Sequence, residues 1–368
     1  MRVGLALVVL SVLPLLAGCV QSSTPPAATF GAPDPAAFVV PAVPKADATK
    51  LLADHAAFVT AHPNRKANTA DHEGARQALL GMFKSYGLET YRFNFTTTSL
   101  ANQADILGIK WGVDRTKWVF VGGHYDIVNS PACPAPVGDG CAIQTQGAYD
   151  DGSGTMMTVH LAEIFSKLQP YYTLAFTAYD GEELGIQGAR AIVQAVTEGN
   201  LTVAGSNDIT IVGDLDLDMI GINWPGTMAP INLLTNSEKA KELVLAAAKE
   251  IGFPDGQILP KDGLQAGSSD YAAFWHVDVP QPIPTVFFIS DFEELGAPSP
   301  IPEGGHTPTL PAGLYPFWHR EDTLATMQAM AGGAQNLHDG FQAASDLAAH
   351  VVHFLAYQPN VTLDAVVK

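Results

Sequence analysis

The sequence is poor in cysteine, in positive charge and in the short motifs of several hydrolase classes. Only 3 of its 368 residues are Cys, and 19 Lys and Arg stand against 37 Asp and Glu, a formal net charge of -18. That charge repels nucleic acid and gives no electrostatic reason to bind an anionic lipid surface. The Gly-x-Ser-x-Gly turn of serine hydrolases, the His-Glu-x-x-His helix of zinc proteases and the Gly-x-x-x-x-Gly-Lys phosphate loop do not occur in the sequence.

The composition is typical of a globular, enzyme-sized chain. Hydrophobic residues make up 47% of the sequence and charged residues 15%, which is too few charges for a disordered protein. We find no internal repeat and no signature of a second folded domain. The sequence therefore predicts one folded domain over residues 49–368, after an N-terminal leader.

Residues 1–19 have the pattern of an export signal. A positive charge at Arg2 precedes an apolar run from Val3 to Ala17, which is too short for a membrane span. The ending Leu-Ala-Gly-Cys resembles a bacterial lipobox, in which Cys19 is lipidated; the alternative is plain secretion with an incidental Cys19. Residues 20–48 are rich in Pro, Ala, Ser and Thr and are predicted to be a flexible tether. We expect the domain in the bacterial cell envelope, either lipid-anchored at the periplasmic face or cell surface, or secreted.

The two remaining cysteines, Cys133 and Cys141, lie in a Pro- and Gly-rich segment. In an exported chain the oxidising compartment favours a disulfide between them. Two thiols without a nearby His do not complete a tetrahedral structural site, so a zinc–cysteine site is disfavoured.

Helical and strand-like apolar patterns alternate along the chain. Helices are predicted over 49–88 with a break at 62–63, and over 155–168, 189–196, 238–251 and 323–357 with a break at 332–333. Strands are predicted over 91–95 as an edge, and over 104–109, 118–122, 172–178, 209–218 and 284–289. This alternation predicts an α/β layer fold with a largely parallel sheet.

Candidate metal ligands follow these predicted strands. His124, Glu182, Glu183 and Asp218 all lie at or just past a strand end, where ligands collect in such folds. Each also has an ordinary interpretation, such as a polar residue at a strand end or an acidic pair at a helix start. Asp126, two residues after His124, can accept the free imidazole N–H and orient that ring.

A pair of adjacent carboxylates, Asp150 and Asp151, precedes the next predicted helix. No Lys or Arg lies within ten positions on either side, so the two charges repel unless they are solvated or bound to a cation. The alternative is an exposed turn with a helix N-cap.

A second pair of adjacent carboxylates is Glu182 and Glu183. One of them can bind a metal while the other takes a proton from an activated water and later delivers it to a leaving amine.

Six stretches, GGHYD, GAYDDGSG, AYDGEELGIQGA, LDMIG, SSDYAAFW and WHREDT, resemble the co-catalytic two-zinc aminopeptidase family. This family comprises bacterial leucyl aminopeptidase-like zinc exopeptidases and also includes glutaminyl cyclases. The stretches occur in the family's order between residues 120 and 325. The resemblance implies a three-layer α/β/α sandwich with a mixed, mainly parallel central sheet, and an exopeptidase with two Zn²⁺ per chain.

The resemblance also implies roles for single residues. His124, Asp150 and Asp218 would hold one zinc. Asp150 would bridge to the second zinc, held further by Glu183 and a late histidine. That histidine is best assigned to His319, although the family often has a Tyr where Trp318 stands. Glu182 would be the general base, Asp126 would orient His124, and Asp151 and Asp270 would support the ligands.

Several assignments stay open. His306 competes with His319, and Asp214 and Asp216 compete with Asp218. Any phenol that stabilises the oxyanion must come from elsewhere than position 318, with Tyr315 and Tyr271 as candidates.

The leading functional hypothesis is a zinc aminopeptidase that acts on the N-termini of peptides or proteins. A glutaminyl cyclase, carboxypeptidase or dipeptidase of the same fold is the second hypothesis, and an inactive cell-surface binding protein is the third. The sequence does not identify the preferred terminal residue or the oligomeric state.

Overall fold

The computed structural model describes residues 34–97, 102–128, 146–201, 203, 208–222, 231–253, 258–261, 269–277, 279–290 and 322–365. Several predictions fall outside these residues: the export signal with Cys19, the pair Cys133 and Cys141, the phenol Tyr315 and the two late histidines, His306 and His319.

One mixed sheet organises the described residues. Its eight strands are β1 (Glu89–Phe95), β2 (Gln103–Lys110), β3 (Asp114–His124), β4 (Tyr172–Tyr179), β5 (Thr210–Asp218), β6 (Ile231–Thr235), β7 (Ile258–Lys261) and β8 (Thr285–Ile289), in the order β1-β2-β4-β3-β5-β8-β6-β7. The four central strands β4, β3, β5 and β8 are parallel, as are β6 and β7. The pairs β1/β2, β2/β4 and β6/β8 are antiparallel. The predicted edge position of β1 is confirmed.

Seven α-helices are present in the described residues: α1 (Ala48–Ala61), α2 (Ala70–Ser85), α3 (Gly152–Phe165), α4 (Gln187–Thr197), α5 (Glu238–Glu250), α6 (Leu324–Met330) and α7 (Ala334–Tyr357). Helix α3 packs on β3, β4 and β5 and also contacts α1, α2 and α7. Helix α4 packs on β2 and β5 and against the π-helical segment Ala273–Val277.

The two faces of β5 show that helices cover both sides of the sheet. Gly213 faces Leu355 of α7, since a Cβ on Gly213 would lie 3.0 Å from that side chain. Asp216, three positions further along β5, points the other way and accepts a hydrogen bond of 2.8 Å from the backbone N–H of Tyr271. Strands buried on both faces are expected to be continuously apolar, and Trp118–Val121 of β3 is fully buried. The predicted three-layer α/β/α fold with a mixed, mainly parallel sheet is confirmed.

Part of the predicted tether packs against the domain. The backbone N–H of Ala46 donates 3.1 Å to Asp346 of α7, and that of Asp47 donates 3.0 Å to Nε2 of His160 in α3. The ring of Phe38 meets that of Tyr171 edge to face at 5.3 Å. No helix among the described residues is both long and apolar enough to cross a membrane.

Candidate metal centre

Three neighbouring parallel strands bring the candidate ligands to one edge of the sheet. His124 ends β3, Asp218 ends β5, and Glu182 follows β4 after the turn at Asp180-Gly181. Strands β4, β3 and β5 are adjacent in the sheet, so their carboxyl ends lie side by side. The strand-end prediction therefore placed these residues together correctly.

Besides these three strands, the loop before α3 contributes to the site. Asp150 and Asp151 are joined by a cis peptide bond. Asp151 is the N-cap of α3, and its Oδ1 accepts 2.8 Å from the backbone N–H of Gly154. Gly154 must be glycine because a Cβ there would overlap the carbonyl oxygen of Leu217 on β5. The small residues of this stretch thus let the loop approach the sheet closely.

One imidazole nitrogen faces a group of carboxylates. Nε2 of His124 lies 3.1 Å from Oδ1 of Asp150 and 3.8 Å from Oδ1 of Asp218. Oε2 of Glu182 lies 3.9 Å from the same nitrogen. His124 is buried, and within the part of the chain that the structure describes no group meets Nε2 in the geometry of a hydrogen bond. A buried histidine nitrogen directed at several carboxylate oxygens is the donor set of a divalent cation.

The other imidazole nitrogen is held by Asp126. Nδ1 of His124 lies 3.2 Å from the backbone carbonyl of Asp126 and 3.4 Å from its Oδ1. This contact fixes the ring so that Nε2 points into the site. Burial by itself lowers the pKa of His124, but the carboxylates around it, first Asp126 and then Asp150, raise that pKa well above its ordinary value.

Both members of the aspartate pair reach this site. His124, Asp151 and Asp218 each offer one ligand atom, and these atoms lie within 4.8 Å of one another. Asp150 makes the shorter contact with His124. Asp151 is fully buried and its Oδ1 also receives the N–H of Met219 at 3.2 Å, which adds to its capping role. The residues present therefore fit a divalent metal ion, and both Asp150 and Asp151 lie close enough to His124 to act as ligands.

The acidic pair Glu182 and Glu183 lies in a 3₁₀ turn after β4. Burial raises the pKa of Glu182 well above its ordinary value; His124 opposes that rise and Asp218 adds to it. Glu183, next in the same turn, is partly buried. The turn itself is held by Asp180, whose carboxylate accepts from His72 at 2.8 Å and from Arg76 at 2.6 Å.

Strand β5 presents three aspartates on one face: Asp214, Asp216 and Asp218. They differ in how far they lie from the end of the strand. Of the three, Asp218 alone lies within ion-pair distance of His124, and its Oδ2 accepts 2.9 Å from Ser269. Asp216 and Asp214 lie further from the strand end and are fully buried. Burial, followed by the charge of Asp218, raises the pKa of Asp216 to about 8. Asp270, predicted to support the site, is also fully buried, and burial raises its pKa well above the ordinary value.

Tyr271, a candidate for stabilising the oxyanion, is buried beside the aspartates of β5. Its ring stacks on Phe287 at a centroid distance of 4.6 Å and meets Trp275 at 5.4 Å. These contacts place the ring in the core next to β5 and β8.

Sequence reasoning missed residues that hold the loop bearing Asp150. The carboxylate of Asp322 accepts the backbone N–H of Tyr149 at 3.0 Å and that of Asp150 at 2.8 Å. Asp322 belongs to the stretch WHREDT, which is the sequence signal that could have identified it. Arg65, which contacts the same loop, lies in the connection between α1 and α2.

Comparisons with known proteins identify a family and several relatives of this chain. Peptidase family M28 matches residues 106–328 of the chain. A probable zinc metalloprotease from Phaeosphaeria nodorum is 32% identical over 133 residues, which cover 34% of this chain and 25% of that protein. Aminopeptidase YwaD from Bacillus subtilis is 29% identical over 174 residues, which cover 46% of this chain and 32% of that protein. The chain thus matches about a quarter to a third of the length of these two relatives.

Solved structures of low sequence identity share the fold. A leucine aminopeptidase precursor from Bacteroides thetaiotaomicron has a TM-score of 0.60 at 18% identity, covering 86% of this chain and 99% of that one. A glutaminyl cyclase from the same organism has a TM-score of 0.59 at 17% identity, covering 85% and 99%.

The fold is that of the zinc exopeptidases, and the histidine–carboxylate site fits a divalent metal ion. Because the family match covers more than half of the chain, the protein belongs to peptidase family M28, a family of zinc metallopeptidases.

Proposed function

We propose that the protein is a zinc exopeptidase, specifically an aminopeptidase that removes N-terminal residues from peptides. The observation that carries this proposal is the direction of Nε2 of His124 toward the carboxylates of Asp150, Asp218 and Glu182. The similarity to Aminopeptidase YwaD supports the choice of reaction.

We propose two zinc ions per chain. His124, Asp150 and Asp218 would hold the first, and Asp150, Glu183 and His319 the second. The placement of Asp322 supports His319 over His306. Asp322 binds the backbone N–H of Asp150, and His319 precedes it by only three residues, a stretch that spans at most about 11 Å.

The chain's own residues have distinct roles in this proposal. When bound, zinc would supply Lewis-acid polarisation of the scissile carbonyl and would lower the pKa of a water molecule. Glu182 would take the proton from the attacking water and pass it to the leaving amine, because its carboxyl group borders the site and its raised pKa suits a proton carrier. Asp126 would keep the ring of His124 in the ligating orientation.

A glutaminyl cyclase is the second candidate, favoured by the structural similarity to such an enzyme at nearly the same TM-score. An assay with aminoacyl-anilides and with a peptide bearing N-terminal glutamine separates the two reactions. We expect release of the anilide, loss of activity with a chelator, recovery with zinc, and about two zinc ions per chain by elemental analysis. Ring closure of glutamine with about one zinc ion would instead establish the cyclase.

We also propose that Cys19 carries a lipid and that Cys133 and Cys141 form a disulfide. The apolar run before Cys19 and the predicted export of the chain support both proposals. Metabolic labelling with a fatty acid should mark the wild type and leave Cys19→Ser unlabelled. Mass spectrometry of an unreduced digest should find the peptides of Cys133 and Cys141 joined, whereas two free thiols would contradict the disulfide.

A further inference from the structure

The segment 146–150, which leads to Asp150, is held by side chains from distant parts of the chain. It has no helix or strand of its own, yet each of its first four carbonyl groups accepts a hydrogen bond from a side chain. Gln146 and Gly147 accept from Arg65 at 2.8 and 2.9 Å. Ala148 accepts from His55 at 2.6 Å, and Tyr149 accepts from Ser153 at 2.8 Å.

Arg65 makes the largest share of these contacts. Besides Gln146 and Gly147, its Nε donates 2.7 Å to the carbonyl of Tyr125, the residue directly after His124. Its Nη1 also donates 3.1 Å to the carbonyl of His62. One guanidinium group therefore joins the end of β3 to the loop of Asp150.

The surroundings of Arg65 are those of a fixed group. The side chain is fully buried, and its guanidinium lies over the ring of Phe58 at 5.2 Å. No carboxylate among the described residues lies within ion-pair distance of it, so its donors serve carbonyl groups. Burial lowers the pKa of Arg65 to about 10, which leaves the group charged at neutral pH.

The opposite side of the segment is held by Asp322. Its carboxylate accepts the N–H groups of Tyr149 and Asp150, and its carbonyl accepts 2.7 Å from the N–H of Gln146. Carbonyl groups of the segment thus bind a cation on one side, and its N–H groups bind an anion on the other.

We propose that Arg65 is a positioning residue of the metal centre, which fixes the loop of Asp150 against the end of β3 so that Asp150 and His124 face each other before metal binds. This inference rests on the proposed role of Asp150 as a ligand. The planar guanidinium supplies several donors in fixed directions, which a lysine ammonium cannot reproduce. A centre organised in advance binds its metal more tightly, because the entropic cost of ordering the loop no longer reduces the free energy of metal binding.

The alternative is that Arg65 acts only through its charge. Four carboxylates interact with it electrostatically, led by Asp322 and Asp151. In that case a neutral residue would remove a repulsion on the incoming cation and would tighten zinc binding, and a lysine would change nothing. The two accounts therefore predict opposite results for the same variants.

The first test measures zinc affinity by competition with a chromophoric chelator, for Arg65→Lys, Arg65→Met and the wild type. Removal of residues that orient metal ligands typically weakens metal binding about 10–100-fold, so we expect both variants to bind zinc at least tenfold more weakly. The control Arg92→Lys alters an arginine that pairs with Glu73 on the surface, and it should match the wild type. Tighter binding by Arg65→Met with unchanged binding by Arg65→Lys would overturn the proposal.

The second test measures hydrogen–deuterium exchange in the metal-free protein. It does not require that Arg65→Met folds. In the metal-free wild type, the amide N–H groups of Tyr149, Asp150 and Gly152 should exchange slowly with deuterium. In Arg65→Lys we expect at least tenfold faster exchange at these three amides and unchanged exchange in α7. Fast exchange in the wild type, or unchanged exchange in Arg65→Lys, would refute the positioning role. A wild type with slow exchange that binds no zinc would instead refute the proposed function.

Discussion

The backbone N–H of Glu182 donates a hydrogen bond of 3.1 Å to Oδ1 of Asp126. The same oxygen lies 3.4 Å from Nδ1 of His124. One buried carboxylate thus links the proposed general base, in the turn after β4, to a proposed metal ligand at the end of β3. The position of the base and the orientation of the ligand are therefore expected to change together.

Asp126→Ala tests this link. We expect zinc affinity to fall about 10-fold, because the His124 ring loses the carboxylate beside Nδ1 and keeps only the backbone carbonyl of residue 126. The value of kcat should also fall when zinc is saturating, because the turn of Glu182 loses its anchor. Zinc titration and steady-state kinetics measure the two effects separately. A drop in affinity with normal kcat at saturating zinc would show that Asp126 does not position Glu182.

Glu182→Gln tests the general base. The amide keeps the size of the side chain but cannot take a proton, so kcat should fall about 10²–10⁴-fold. Zinc content should stay near the wild-type value, because Glu182 is not one of the proposed ligands. The control Glu198→Gln changes an exposed carboxylate at the end of α4 and should leave both quantities unchanged. Near wild-type turnover in Glu182→Gln would exclude this residue as the base.

Matched variants distinguish the roles of Asp150 and Asp151. Asp150→Asn should abolish zinc binding and activity together. Asp151→Asn should keep its zinc and most of its stability, because the amide oxygen of Asn can accept the Gly154 N–H and caps a helix about as well as Asp does. Elemental analysis and urea unfolding of the two proteins give the comparison. The reverse outcome would make Asp151 the ligand, an arrangement that its distance from His124 and Asp218 permits.

The central strands and the strand-end residues could be predicted because their signals are local. Buried parallel strands are continuous apolar runs, and the proposed site residues of β3, β4 and β5 lie at the strand's last residue or within four residues after it. Strand β6 was missed because five residues show no clear period, and β7 because Pro260 is unusual within a strand. Helix α3 begins at Gly152, three residues before the predicted start, because Asp151 supplies the cap.

The contacts that hold the Asp150 loop could not be predicted, because the partners in each contact are remote in sequence. His55 and Ala148 are 93 positions apart, and Asp322 and Asp150 are 172 apart. Arg65 donates to carbonyl groups, which every residue has, so no pattern of side chains marks its partners. Single-sequence reasoning finds ligands by their chemistry and helix caps by their position, whereas it has no signal for a side chain that binds backbone groups remote in sequence.

His319→Ala and His306→Ala identify the last ligand. We expect His319→Ala to bind one zinc ion fewer than the wild type and to lose most activity, and His306→Ala to keep both. Elemental analysis after dialysis and anilide hydrolysis measure the two quantities. If His306→Ala loses the ion instead, the second site is completed by the stretch around His306.

Stability should depend on pH through His55, which binds the carbonyl of Ala148 and is fully buried. Burial lowers the pKa of His55 from 6.5 to about 4, so between these values the unfolded chain takes up a proton that the folded chain does not. The free energy of unfolding should therefore fall as the pH drops through this window, by roughly 2–3 kcal/mol from this group at pH 4.5. His55→Gln can still donate to Ala148 but cannot be protonated, so the metal-free variant should lose less stability between pH 7 and pH 4.5 than the metal-free wild type. Equal losses in urea unfolding would mean that His55 does not remain neutral in the folded protein.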